Sequence, residues 1–334
     1  MRIFLIGDYT SGTGPANATR SLLSALPSET LRLKTWNKIT RTFEILYKTK
    51  KADVCLFSGY SRQNIVGLKW AKLLRRPSAY LMHGCVEYEN AINGVPDENM
   101  NRVERETLRL SDLILGVSEP FTEWLRQQYP MYRDKIKTLT NGIDWKLLED
   151  CGGDSDIVRE ENRILSVGGG MPRKRIVKIC EAVRILNEKG YHLILSVAGA
   201  EGNDTPRINE YPFVENRRML GRKEMNELYH SAKIFIQNSC FETFGLAPLE
   251  ALLSGCDLLL SKQVGALSVL SGIREDDVIT DCENPEEIAE KIELLLKREN
   301  HTRLLVELDK ESTSWEARAL ELQDILNQRK EKKS

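Results

Sequence analysis

Short apolar runs alternate along this chain with polar, helix-forming stretches, the pattern of strands leading into helices. Arg2–Ile6 reads as a strand, Gly7–Pro15 as a turn-rich loop, and Ala16–Leu26 as a helix through Leu22, Leu23 and Leu26. Val54–Phe57, Ser78–Met82, Leu113–Val117 and Lys135–Leu139 read as further strands, with helical stretches near Ile65–Leu74, over Arg102–Leu110 and over Pro120–Gln128. Trp145–Glu161 is polar, contains Gly152–Gly153 and has no sustained periodicity, which marks a domain boundary. The alternation then restarts with strand Ile164–Val167, a glycine loop, helix Ile176–Lys189 and strand His192–Val197. A loop from Gly199 to Pro206 and an irregular stretch to Leu220–Gly221 follow, then helix Lys223–His230 and strands at Ile234–Ile236 and Asp257–Leu260. Trp315–Lys330 closes the chain as an amphipathic helix. Such alternation predicts parallel sheets covered on both faces, in two Rossmann-like halves with a cleft between them.

One stretch carries chemistry as well as pattern. Phe241–Gly255 follows a buried strand and polar Gln237–Asn238–Ser239. It places Pro248 in the first turn of a helix over Ala247–Leu253, with Gly255 as the stop. A helix N-terminus flanked by Glu242 and Glu250 suits a polyol carrying phosphate, in outline a nucleotide sugar. The plainer alternative is that Glu250 caps the helix and Glu242 is solvated; the spacing does not separate the two. The first loop holds Gly12-x-Gly14 but has Asn17 where a dinucleotide fingerprint needs its third glycine, so a nicotinamide or flavin cofactor is not indicated.

Composition adds limits. At 334 residues, 41% hydrophobic and 29% charged, the chain predicts a soluble protein of two domains. No run is long enough to span a bilayer, and the start reads as a strand rather than a signal peptide. Seven scattered cysteines without a C-x-x-C pair predict reduced thiols in a cytoplasmic protein. Leu31–Lys51 is basic, with seven Lys and Arg against Glu44, and interleaves Trp36, Phe43 and Tyr47. That pattern suits peripheral contact with an anionic membrane. A solvated face over a core-packed helix is the preferred reading of a charge run of this kind.

The chain resembles the retaining glycosyltransferases of family four, which have the GT-B fold. The resemblance rests on Glu242-Thr243-Phe244-Gly245 through Glu250, on Asn141–Gly142–Ile143–Asp144, on Val117–Ser118–Glu119 and on Ser314–Trp315–Glu316, in that family's order. It implies two Rossmann-like domains facing each other across a cleft. Residues 1–150 with 315–334 would form the acceptor side, the last helix crossing back, and 151–314 the nucleotide-sugar side. It further implies that Glu250 accepts from ribose hydroxyls, and that Glu242 and the backbone of Phe244, Gly245 and Leu246 hold the donor sugar. Lys174 would steady the departing diphosphate, His83 would lie near the sugar, and Gly12 and Gly14 would approach the phosphates.

Three departures stand out. The family's usual arginine, five residues before its lysine, is Gly169 here, with Arg173 or Arg175 as nearby substitutes. Pro15 replaces the second glycine of the first-loop pair and has no N–H to donate. The charged stretch from Gly199 to Met219 obscures which residues hold the base. Asp154–Ser155–Asp156 looks like a metal motif but lies in a polar linker, so no metal and no cofactor is expected.

The implied activity is transfer from a nucleotide sugar, with a uridine diphosphate donor favoured, to a glycan or lipid-linked acceptor. The setting would be bacterial surface polysaccharide or glycoconjugate assembly, in the cytoplasm or at the inner membrane face, with no nucleic-acid partner. A non-catalytic GT-B scaffold paired with an active transferase, and a nucleotide-sugar epimerase, are the alternatives.

Overall fold

The computed structural model describes residues 1–35, 37–145 and 157–331. Trp36, Cys151 and the Asp154–Ser155–Asp156 motif lie outside those residues. The chain divides into two compact units. One comprises Met1–Tyr88, Pro96–Asp144 and Lys310–Ser334; the other comprises Glu89–Val95 and Trp145–Asp309. The last return of the chain thus begins at Lys310 rather than 315, and a short segment before residue 96 belongs to the second unit.

The first unit holds a six-stranded sheet of β1 (Ile3–Ile6), β2 (Leu31–Arg32), β3 (Val54–Ser58), β4 (Ser78–Met82), β5 (Leu113–Gly116) and β6 (Ile136–Thr138). Its order is β2-β1-β3-β4-β5-β6, and every pairing is parallel. All residues of β1, β3, β4 and β5 are buried, which is why they read as unbroken apolar runs rather than alternating ones. The helices start where side-chain oxygens can accept backbone N–H groups: Thr13, Asn37, Ser61, Asp97 and Ser118 each cap the helix that follows. Ser118 of the Val117–Ser118–Glu119 motif is thereby accounted for as a cap on helix Glu119–Gln128. Helix Lys38–Lys51 packs through Ile45 and Thr49, leaving Phe43 and Tyr47 on its outer face.

Two further motifs meet in space. Ile143 bridges Ser314 in parallel, with Ile143 N donating to the Thr313 carbonyl at 2.8 Å. A Cβ on Gly142 would lie 2.6 Å from the Trp315 ring and 2.7 Å from its Cα. Asn141–Asp144 and Ser314–Glu316 therefore form the seat of helix Trp315–Glu331, which buries Trp315, Ala319, Leu322 and Leu326 along one face.

The second unit holds β7 (Glu160–Val167), β8 (Ile194–Ala198), β9 (Val214–Arg218), β10 (Ala232–Gln237), β11 (Asp257–Ser261) and β12 (Val278–Ile279). Their order is β12-β11-β10-β7-β8-β9, again parallel throughout. The stretch read as irregular contains β9 and the short helix Thr205–Ile208. β9 is an edge strand with the sequence VENRR; its charges suit an exposed edge and erase the apolar signal that marks the inner strands. Helices Ile176–Glu188 and Pro285–Lys297 cover one face, with Ile179, Val183, Ile288 and Ile292 fully buried there.

Replacing Gly142 by alanine should therefore cost about 1–3 kcal/mol of stability through overpacking against Trp315. Hydrogen exchange should show the loss of protection concentrated in helix Trp315–Glu331. Unchanged protection there would refute the seat.

Candidate functional site

In the second unit the strand order reverses between β7 and β10, so the loops leaving their C-terminal ends flank a crevice. The β7 loop carries Arg173 and Lys174; the β10 loop carries Glu242. These three side chains converge. Lys174 Nζ donates to Glu242 Oε2, Arg173 Nη1 lies 3.1 Å from the same oxygen, and Gln237 Nε2 donates to it at 2.9 Å. Arg173 also donates to the Phe241 carbonyl at 3.1 Å and lies 3.7 Å from Glu89. Burial would raise the Glu242 carboxyl, but Lys174 and Arg173 outweigh it and hold the group down at about 2. Burial lowers the Lys174 ammonium below its ordinary value, and Glu242 opposes that shift. Burial acts to lower Arg173 as well, but Glu242 and Glu89 reverse the effect and keep it firmly charged. The alternative in which Glu242 is solvated does not describe this carboxylate.

The triple glycine of the β7 loop explains both the position of Lys174 and the missing arginine. A Cβ on Gly168 would lie 2.5 Å from Lys174 Cγ, so the glycine makes room for the lysine stem. Gly169 has φ +55°, and a Cβ there would meet the Ala200 carbonyl oxygen at 2.0 Å. The loop after β8 lies backbone to backbone against it: Gly170 N donates to Ala200 O at 2.9 Å, and Asp204 N to Gly170 O at 3.0 Å. No side chain fits at position 169 while the loops pack this closely. Of the two substitutes named from sequence, Arg173 reaches the cluster. Arg175 turns away to pair with Glu283.

Gly245 has φ +87° and passes over the cluster, where a Cβ would lie 3.2 Å from Glu242 Cγ and 3.3 Å from Gln237 Nε2. Phe244 is buried, so its side chain serves packing and its backbone is what it can offer. Gly265 N donates to the Glu242 carbonyl at 3.0 Å and Ala266 N to the Phe244 carbonyl at 2.7 Å, pinning this loop. Leu246 is the N-cap residue of the seven-residue helix Ala247–Leu253, with no side-chain capping bond. Glu250 does not cap that helix either: its Oε2 accepts from the Tyr229 hydroxyl at 2.9 Å. Burial raises the Glu250 carboxyl above its usual range, with Tyr229 and then Arg222 opposing.

The first unit gathers a separate group at its own reversal point, between β1 and β3. Thr19 donates to the Pro15 carbonyl at 2.7 Å; its oxygen lies 2.6 Å from Ser58 Oγ, which lies 2.8 Å from His83 Nε2. With Thr19 as donor to Pro15, the consistent chain runs His83 Nε2–H to Ser58 to Thr19, which assigns the proton to Nε2. Burial holds the imidazole down at about 4, so it is neutral at pH 7. The buried Glu104 carboxylate accepts from Val86 N at 3.1 Å and Glu87 N at 3.3 Å, steadying the turn after His83. Gly12 has φ +76°, and a Cβ on Gly12 or Gly14 would meet nothing within 4 Å, so that loop is open where the glycines stand.

Gln237, Tyr229, Ser58 and Thr19 were not singled out as site residues from sequence. Gln237 gave a faint signal, a polar side chain directly after a buried apolar run. Tyr229 gave none, because its partner is 21 residues away. Among the described residues no cluster of three or more His, Cys, Asp or Glu could hold a metal ion.

The family model described as glycosyl transferases group 1 matches residues 153–319, and that of glycosyltransferase family 4 matches residues 12–146. Among curated proteins none matches. Solved structures do. An Anabaena protein, HepE, in complex with UDP-glucose has a TM-score of 0.67 at 13% identity, over 98% of this chain and 100% of that one. Sucrose-phosphate synthase from Thermosynechococcus elongatus has a TM-score of 0.68 at 18% identity, over 98% and 99%. A UDP-forming trehalose-phosphate synthase from Burkholderia xenovorans has a TM-score of 0.64 at 12% identity, over 98% of each chain. At such identities the likeness speaks for the fold, and with two parallel six-stranded sheets that fold is GT-B.

Removing the shared carboxylate takes the counter-ion from Lys174 and leaves Arg173 with Glu89 alone. Glu242→Gln should cost about 3–5 kcal/mol in denaturant unfolding, whereas Glu250→Gln keeps the Tyr229 bond and should cost about 1 kcal/mol. Because the folded-state value of Glu242 is depressed to about 2 from an ordinary 4.5, its contribution is complete above pH 4.5 and is lost as pH falls toward 2. That acid limb, on the order of 3 kcal/mol, should be missing in Glu242→Gln. Identical acid limbs in the two proteins would refute the assignment.

Proposed function

The chain belongs to the glycosyl transferases group 1, and from that membership we propose that it moves a sugar from a uridine diphosphate sugar to an acceptor hydroxyl with retention of anomeric configuration. The observation that carries the reading is the convergence of Lys174 and Arg173 on Glu242 at the β7–β10 reversal. Two cations held ready in a water-poor crevice suit the charge that develops on a departing diphosphate, and their geometry needs no rearrangement at the moment of reaction. In this reading Arg173 supplies the positive charge that Gly169 cannot. The pair does the work often given to a divalent cation, so transfer should be unaffected by chelators.

The remaining roles follow the donor's chemistry. Glu250, with Tyr229 engaging Oε2, turns Oε1 to the ribose hydroxyls. Glu242 and the backbone of Phe244, Gly245 and Leu246 take the hydroxyls of the sugar. His83, whose neutral imidazole can hydrogen-bond without adding charge, and the open loop at Gly12 and Gly14 keep the roles that the family resemblance gives them, toward a hydroxyl and a phosphate respectively. The bond from the anomeric carbon to the phosphate oxygen breaks and the acceptor oxygen bonds on the same face. The acceptor's proton passes to the departing phosphate oxygen. Support for a uridine donor comes from relatives of the same fold, among them HepE in complex with UDP-glucose and a UDP-forming synthase. The acceptor is read, on the family resemblance, as a glycan or lipid-linked glycan of bacterial surface polysaccharide assembly.

A thermal-shift panel of nucleotide sugars, followed by transfer assays, tests this reading. A cognate uridine donor at 100 times its Kd should add about 2.7 kcal/mol of stability, and Glu250→Ala should abolish most of that shift. Lys174→Ala should lower kcat by roughly 10²–10³-fold. Unshifted melting with every donor, or normal turnover in both variants, would sink the reading.

A further inference from the structure

Helices Lys38–Lys51 and Arg62–Leu73 pack side by side over one face of the first sheet. Ile45 and Leu68 are buried beneath them, and Trp70 Nε1 donates to the Leu46 carbonyl at 3.0 Å. Their opposite faces carry large apolar side chains into solvent. Ile39, Phe43 and Tyr47, at i, i+4 and i+8, are 69%, 69% and 60% exposed; Val66 and Leu73, at i and i+7, are 41% and 71% exposed. On each helix these positions lie away from the buried side, so the two rows share one surface.

The charge on this surface is one-sided. Residues 31–76 contain twelve Lys and Arg against only Glu44 and Asp53. Both acids are occupied within the fold: Glu44 accepts from Lys34 N and Thr35 N at 2.9 Å and pairs with Lys48, and Asp53 accepts from Arg2 N at 2.8 Å. Lys38, Lys50, Lys51, Arg62, Lys69, Lys72 and Arg75 are exposed around the apolar row; Lys69 also has Glu106 at 4.0 Å.

We propose that this two-helix face is a docking surface for an anionic lipid bilayer, with Ile39, Phe43, Tyr47, Val66 and Leu73 entering the interface and the surrounding lysines and arginines meeting acidic headgroups. Apolar burial and headgroup attraction act together in such a helix face. A nucleic acid would reward the cations but not outward Ile, Val and Leu side chains. A second copy of the same face would oppose like charges. The proposal does not depend on the transferase reading, since it concerns residues assigned no part in donor binding.

Flotation of the full chain with vesicles of phosphatidylcholine alone, and of phosphatidylcholine mixed with phosphatidylglycerol, tests it. Binding is expected only to the anionic vesicles and should weaken between about 0.1 M and about 1 M salt, as screening shortens from roughly 10 to 3 Å. Lys50→Ser with Lys51→Ser should weaken binding by about fivefold for each cation removed. Phe43→Ser with Leu73→Ser should weaken it separately, and both double variants, being on the surface, should melt like the parent and keep any donor-induced shift. Equal binding to neutral vesicles, no binding, or binding unmoved by either double variant would overturn the proposal. So would self-association, or duplex binding, that depends on the same residues in the absence of vesicle binding.

Discussion

Glu242 is the counter-ion on which the second unit's crevice depends. Its carboxylate receives Lys174, Arg173 and Gln237 together, so a single, largely covered group sets the direction of two cations contributed by a different loop. Charges taken this far from water persist only when paired and hydrogen-bonded. Here the pairing also ties both cations to the loop that leaves β10. The Cys240 N to Arg173 O bond, at 2.9 Å, ties the two loops by their backbones as well.

Both units place their candidate groups by the same topological device. In each, the strand order reverses beside the first strand of the sheet, opening a crevice at the strand ends: β1 and β3 in one, β7 and β10 in the other. What fills the crevice differs. One holds a neutral hydroxyl–imidazole chain through Thr19, Ser58 and His83, with the imidazole discharged by burial; the other holds an ionised cluster. The neutral group suits hydrogen bonding to a hydroxyl, and the ionised one suits a developing anion.

Much of this was legible from the chain. The inner strands were readable because full burial on both faces leaves unbroken apolar runs, and helix Ala247–Leu253 because proline, helix formers and glycine stand in the right order. β9 was not readable, since an edge strand can be charged throughout. Tyr229 was missed because its hydroxyl finds Glu250 across the fold, and the outward turn of Phe43 and Tyr47 because composition does not say which face of a helix is covered.

By itself the sequence determined the alternation of elements, the motif from Glu242 to Glu250 and the absence of an arginine at position 169. These are local properties, governed by burial period, capping and residue identity. Tertiary structure alone decided what they mean together. The backbone of Ala200, brought within contact distance of Gly169, leaves no room for a side chain there, and the turn that follows sends Arg173 to Glu242 while Arg175 leaves for Glu283. Neighbouring arginines of identical chemistry receive different partners because close packing of two loops sets the path of the chain between them.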